Sequence, residues 1–189
     1  PTTPGVTIRP FTNIDGQKAS EIDFIDVTIT GASRIGDPGD AFAAIEKVND
    51  KAVLGVSAEA VGVLETLLQK TVEYSKTRKQ FGTVIGTFQA LQHRMADMFI
   101  ECQLARSIVV MAAMKLDSSA DPREKPKAVS AAKSRVGKAI RRVSQEAVQI
   151  HGGIGVTNEL DVGHYFKRAT ALEIMFGNTD YHVERFASL

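Results

Sequence analysis

Two short segments carry the residue types needed to hold a flat, anionic ligand. In the first, Arg78-Lys79-Gln80-Phe81-Gly82 is followed by Phe88-Gln89. An arginine fork binds a phosphate through two parallel N–H bonds, a glutamine amide adds a neutral donor, and an aromatic side chain covers a flat ring, so the set suits a dinucleotide. The same basic residues also complement the macrodipole at a helix C-terminus, and on spacing alone that is the simpler account. The second segment is Gln149-Ile150-His151-Gly152-Gly153-Ile154-Gly155, whose glycines let backbone amides approach an anion closely. It reads equally as a plain helix terminus, and with no strand before it, it is not a Rossmann fingerprint. His93, His151, His164 and His182 are widely separated, with no second ligand at a short repeated spacing, and no nucleophile stands in a triad context.

Both segments fall at the ends of long helices. Apolar residues recur at helical spacing from Asp40 to Tyr74, at Ala52, Val56, Ala60, Val63, Leu67 and Leu68, with Gly55 and Gly62 small enough to admit a neighbour. A second helix starts near Phe88 and carries Leu91, Met95, Met98, Cys102, Ala105, Val109, Ala112 and Leu116 as a buried stripe. Asp121-Pro122 and Lys125-Pro126 break the chain, and a third helix runs from Lys127 to His151 with Ala132, Val136, Ala139, Val143 and Ala147 inward. Gly152-Gly153 ends it as a glycine cap. The fourth, Glu159 to Phe186, has Val162, Phe166, Ala169, Leu172, Phe176 and Val183.

Long helices with short connections favour an antiparallel four-helix bundle. Ahead of it, Val6–Arg9, Ile22, Phe24 and Ile25–Ile29 alternate as strands do, Asp15-Gly16 reads as a turn, and Gly31 to Gly39 as a loop. The expected fold is mainly α, with residues 39–189 forming the bundle after a partial β-domain at 1–38. A strand pair of this size is marginal alone, so it is expected to join a larger sheet or lie on the helices. A chain opening on Pro1-Thr2-Thr3-Pro4-Gly5, with no initiator methionine, reads as a piece of a longer protein.

With 189 residues, 43% of them apolar, and a net charge of +1, the chain has the makings of an ordinary globular core. The near-neutral balance argues against a dedicated nucleic-acid partner; Arg135, Lys138, Arg141 and Arg142 read as a solvated or interfacial helix face. No apolar run approaches a membrane span of roughly 20 residues, and there is no secretory leader pattern, so a cytoplasmic, membrane-free protein is the default expectation. The single cysteine, Cys102, lies in an apolar stretch and is expected to be an inert buried thiol.

The order of the motifs resembles the C-terminal helical domain of acyl-CoA dehydrogenases. The resemblance runs through Tyr74-Ser75-Lys76-Thr77-Arg78-Lys79-Gln80-Phe81-Gly82, Phe88-Gln89, Met95-Ala96-Asp97-Met98 and Ala147 to Gly155. Residues 5–37 are similar to the closing strands of that family's middle β-domain. The resemblance implies an FAD site built at a subunit interface, with Arg78, Gln80, Phe81, Gln89, Gln149 and Gly153 reaching the pyrophosphate and adenosine, and Thr179 a flavin contact. It implies an acyl-CoA substrate, with Asp50 on the substrate side, although Val53 stands where many members have an arginine. The family's carboxylate base, which removes the acidic α-proton while the β-hydrogen leaves as hydride, has two alternative positions. Here these are Gly177 and Ala52, and neither can take a proton.

Glu173 is the nearest substitute carboxylate, but four helical positions displace it by about 6 Å, and it reads as a surface residue first and a base second. Tyr181 replaces an expected glutamine. The ending Phe176-Gly177-Asn178-Thr179-Asp180-Tyr181-His182, with His164-Tyr165-Phe166-Lys167-Arg168 before it, resembles small subunits of bacterial acyl-CoA dehydrogenases that work as unlike pairs, such as the pimeloyl-CoA type. The expected function is therefore a subunit of FAD-dependent acyl-CoA desaturation in a homo- or hetero-tetramer or dimer; the alternatives are a noncatalytic structural subunit or fragment, or another flavin enzyme on the same scaffold, an oxidase or monooxygenase. The family's flavin-side Trp motif belongs to a region preceding this one, and the chain has no tryptophan.

Overall fold

Two period-2 stretches at the start pair as an antiparallel hairpin, β1 (Val6–Thr12) with β2 (Lys18–Phe24), in the register Val6 opposite Phe24 through Thr12 opposite Lys18. The computed structural model describes residues 3–118, 121 and 123–189; the Pro1-Thr2 opening and the Pro122 break lie outside them. The turn falls at Asp15-Gly16 as expected, with Gly16 N–H donating to Asn13 O at 2.9 Å. Strand structure stops at Phe24, so the expected strand over Ile25–Ile29 does not form; Ile25 and Ile29 are exposed, and only Ile25 N–H still bonds across the hairpin, to Gly5 O, among the described residues.

Two compact units divide at Val48/Asn49, a position inside α1 (Ala41–Thr77). The second unit holds the bundle. After α1 come a two-residue hairpin, β3 (Lys79–Gln80) with β4 (Thr83–Val84), then α2 (Gln89–Asp117), α3 (Glu124–His151), α4 (Val162–Ile174) and α5 (Thr179–Ser188). Ion pairs record the antiparallel directions. Along α2 and α3, Arg94 meets Glu146, Asp97 meets Arg142 and Glu101 meets Arg135, one number rising as the other falls. Along α1 and α4, Glu59 meets Arg168 and Lys70 meets Asp161. The mainly α, four-helix expectation therefore stands, with its last member interrupted between Ile174 and Thr179.

The core comes largely from the stripes read in the sequence, except that Phe176 and Val183 of the fourth are exposed. Met98, Cys102, Ala105 and Ala112 of α2 and Ala132, Val136, Ala139, Val143 and Ala147 of α3 are buried against Ala60, Leu64 and Leu67 of α1 and Val162, Ala169 and Leu172 of α4. Burial pushes the Cys102 thiol up to about 12, so the thiolate needed for reactivity is scarce at neutral pH. Gly55 and Gly62 depart from expectation. Both sit on an exposed face where a Cβ would meet nothing within 4 Å, so neither serves helix packing inside this chain. By length and composition alone α1 is apolar enough to cross a bilayer, unlike what run length suggested, but Val53, Ala60, Leu64 and Leu67 are buried within the protein.

Candidate functional site

A ring stack brings the two motif segments to one end of the bundle. Tyr74, near the C-terminus of α1, stacks on His151 at the C-terminus of α3 with centroids 4.4 Å apart, and its hydroxyl lies 3.4 Å from His151 O. Arg78 follows Tyr74 by four residues, while Gln149 and Gly153 flank His151 on either side. The α3 helix ends at Gly152, whose N–H caps the carbonyls of Val148 and Gln149, and a 3-10 turn over Gly152–Val156 leads away.

On the α1 side the chain closes at once, since Ile85 N–H donates to Arg78 O at 2.8 Å. Gln80 pairs with Thr83, so Phe81 and Gly82 form the two-residue turn of the β3–β4 hairpin. Both take positive φ, 56° and 81°, as a tight antiparallel turn requires. Glycine does this freely; phenylalanine in the left-handed region loses about 1–2 kcal/mol. Phe81 is nonetheless 91% exposed, touching Phe88 edge to face at 6.1 Å, so little burial within the chain offsets that strain. Arg78, Gln80, Gln89, Gln149 and Gly153 are exposed too. The Arg78 guanidinium has no hydrogen bond or ion pair among the described residues. Six of the residues expected at the cofactor thus share one end of the bundle, and the side-chain donors of Arg78, Gln80, Gln89 and Gln149 are uncommitted among the described residues.

Thr179 lies apart from them. It is the first residue of α5, buried, and its hydroxyl and backbone N–H both donate to Glu173 Oε1, at 2.9 and 3.2 Å. Asp50 is buried on α1 with its Oδ1 2.8 Å from Arg185 Nη1. That N–H is not aligned on the carboxylate, so the contact is a close ion pair rather than a formed hydrogen bond.

The expectation for Glu173 is overturned: it is 7% exposed, not a surface residue. The fourth helix breaks immediately after it, which folds the carboxylate back onto the start of α5. Burial pushes its carboxyl up, but the two Thr179 bonds and the Arg141 guanidinium at 3.0 Å outweigh that and hold it below the usual carboxylate range. A carboxylate so stabilised is a weak proton acceptor. The first of the two expected base positions is closed as well. Gly177 has φ 98° and follows Phe176 at φ 57°, and a Cβ on Gly177 would overlap the Tyr181 ring. The alternative position, Ala52, is a half-buried methyl on α1.

Sequence reading also missed a polar stripe on α3. Ser130, Lys133, Gly137 and Arg141 recur at the same three- and four-residue spacing as the core and face the α4–α5 joint, where His182 is fully buried, its Nε2 3.0 Å from Phe176 O and its Nδ1 3.4 Å from Ser130 Oγ. The spacing was available in the sequence, but a lysine within it reads as solvated unless its acceptors are known.

His182 and His151 give the protein an acid limit. Burial lowers both below the ordinary histidine value of 6.5. The unfolded chain takes up protons near 6.5 while the folded chain resists them, so stability is whole above that value and falls as pH drops from it towards the folded-state values. Glu173, lowered from 4.5, adds its own loss only in stronger acid, below that value. Thermal melts between about pH 7.5 and 5.5 are expected to show a falling midpoint, and a flat midpoint would contradict the assignment of neutral buried imidazoles.

The family model for the acyl-CoA dehydrogenase C-terminal domain matches residues 42–188. The chain is 35% identical over 181 residues to a probable acyl-CoA dehydrogenase, YngJ, of Bacillus subtilis, a match covering 94% of this chain and 47% of that protein. It is similar to a chain of the ChsE4-ChsE5 complex from Mycobacterium tuberculosis, with a TM-score of 0.89 and 28% identity over 99% of this chain and 49% of that one. PigA, solved with FAD and proline, gives a TM-score of 0.91 and 29% identity, again over 99% of this chain and 49% of that one. The chain spans about half the length of these relatives. With the helical domain matched over nearly all of its length, the chain belongs to the acyl-CoA dehydrogenase family of FAD flavoproteins.

Proposed function

We propose that this chain is the C-terminal half of a subunit in an FAD-dependent acyl-CoA dehydrogenase, where it completes an FAD site across a subunit interface while the general base comes from elsewhere. Residues 1–38 are then the end of a middle β-domain and 39–189 the helical domain. The observation that carries this reading is the β3–β4 turn. A strained, exposed aromatic beside an unpaired guanidinium is costly in an isolated chain and makes sense where a ring and a phosphate lie against it.

The donor set fits FAD. Arg78 offers a fork to the pyrophosphate, the turn at Gly153 offers open backbone, Gln80, Gln89 and Gln149 offer neutral amides, and Phe81 offers a ring face. Bound there, FAD would accept the hydride removed from the β-carbon of an acyl-CoA thioester; this chain's residues hold and orient it. Thr179 and Asp50 are proposed on the flavin and substrate sides, each already engaged, with Glu173 and Arg185 respectively.

The absence of a carboxylate at Gly177 and Ala52 supports a base supplied by another subunit, in an assembly of like or unlike subunits. A complex of two named chains, ChsE4 and ChsE5, among the similar structures supports the unlike arrangement. The same absence favours a second reading, a subunit that only shapes its partner. The likeness to PigA, solved with proline, favours a third, a flavin oxidase or monooxygenase on this scaffold.

Absorbance of the purified full assembly separates the three. Flavin bands that bleach on addition of acyl-CoA thioesters are the expected result; unbleached flavin points to the third reading and absent flavin to the second. The turn itself is testable through Phe81→Asn. Asparagine tolerates positive φ, so the variant is expected to be more stable by about 1 kcal/mol in thermal melts, yet to hold FAD less tightly in a flavin fluorescence titration. Equal FAD affinity would remove Phe81 from the site.

A further inference from the structure

We propose that Lys133 is a positioning residue for the cofactor site: with Gly137 and Arg141 on the same face of α3, it sets the α4–α5 bend and thereby the placement of Thr179. This rests on the reading of Thr179 as a flavin contact.

Lys133 is 1% exposed and is the largest fully buried side chain among the described residues. Its Nζ donates to Leu172 O at 2.9 Å and Glu173 O at 2.7 Å, and no carboxylate forms an ion pair with it among the described residues. Those carbonyls belong to the last turn of α4, where the helical acceptor ladder has no further N–H groups because the chain leaves through Phe176 and Gly177 at positive φ. Burying an unpaired ammonium is unfavourable, and an apolar side chain of similar length would fill the space at lower cost in free energy. What the lysine adds is a fixed direction for the end of α4. Burial lowers it to about 8, the nearby Glu173 carboxylate offsetting part of that effect.

The other two stripe residues act on the start of α5. Arg141 holds the Glu173 carboxylate, which receives the Thr179 N–H and hydroxyl, and Gly137 leaves the space that Thr179 Oγ1 occupies, since a Cβ there would overlap it. Lys133 and Arg141, eight residues apart on one helix face, therefore grip the two ends of the same bend. With its proton given to Glu173, the Thr179 hydroxyl has only lone pairs left, so the ligand group it meets is a hydrogen-bond donor such as an N–H. A flavin ring carries one.

The test uses the full-length protein in its native assembly. Lys133→Met matches the volume and removes the donor; Lys133→Gln retains a neutral donor. The expected result for Lys133→Met is a melting temperature within about 2 °C of the parent, with amide hydrogen exchange at 175–182 faster by about tenfold and the rest of the bundle unchanged. The FAD Kd rises by roughly tenfold, the worth of one misplaced hydrogen bond, and Lys133→Gln recovers part of it. Unchanged exchange at 175–182 overturns the positioning role. Faster exchange with unchanged FAD affinity overturns the link to the cofactor, provided that Arg78→Ala weakens FAD in the same assay. If Arg78→Ala also has no effect, it is the interfacial FAD reading that has failed. Should Lys133→Met not fold, Gly137→Ala carries the same test, because its added methyl favours the helix while displacing Thr179.

Discussion

Replacing Arg78 by alanine is expected to strip FAD from the assembly while leaving the fold intact. The guanidinium makes no hydrogen bond or ion pair among the described residues, so its loss breaks nothing inside the chain. Charge-assisted bonds to a pyrophosphate are worth about 1.5–3 kcal/mol each, and losing a bidentate pair on a partly solvated site amounts to about 3 kcal/mol, roughly a hundredfold in Kd. Arg78→Lys keeps the charge but not the planar fork, and is expected to recover only part of the loss. The flavin-to-protein ratio after gel filtration, with a fluorescence titration for Kd, checks both variants; parent-like retention by Arg78→Ala would exclude the guanidinium from the site.

Installing a base at the family's usual position is expected to fail. Gly177→Glu must hold a side chain at φ 98°, where L residues are strained by about 1–3 kcal/mol, and its Cβ overlaps the Tyr181 ring. Displacing that ring from the first turn of α5 brings the expected destabilisation to about 3 kcal/mol in a chemical melt, with no gain in acyl-CoA desaturation. Adding Tyr181→Ala removes the overlap but not the backbone strain, so the double variant should recover about half the loss. A single variant as stable as the parent, or one that gains activity, would show that the bend adapts and that the lost carboxylate is a mere substitution.

These two positions illustrate what the sequence made legible. The apolar stripes of α2 and α3 follow from local periodicity, and every stripe residue named for α3 is buried. The motif segments were legible as helix ends, and chain connectivity alone places Arg78 beside Tyr74. That the Arg78 and Gly153 segments meet depends on the Tyr74–His151 stack, a contact across 77 residues that spacing does not encode.

The period predicts a continuous fourth helix because Phe176 and Val183 carry it on. Its break was nonetheless written locally, since Asn178 accepts from Tyr181 N–H as an N-cap and Asp180 follows in the first turn of α5. Glu173 looked exposed for the same reason: on an unbroken helix it has no Thr179 folded back upon it. Lys133 was invisible as a buried residue because its two acceptors are backbone carbonyls some 40 positions away. At Ile25–Ile29 the alternation is real, but after one further bond, Ile25 N–H to Gly5 O, the paired ladder ends with the start of β1.

The most direct measurement is a structure of the complete assembly loaded with FAD. The account predicts the Arg78 guanidinium within hydrogen-bond distance of the pyrophosphate of an FAD held mainly by a neighbouring subunit, with Gly153 backbone and the Phe81 ring lining the same cleft. An Arg78 facing open solvent, with the nucleotide bound wholly within one subunit and away from the β3–β4 turn, would contradict it.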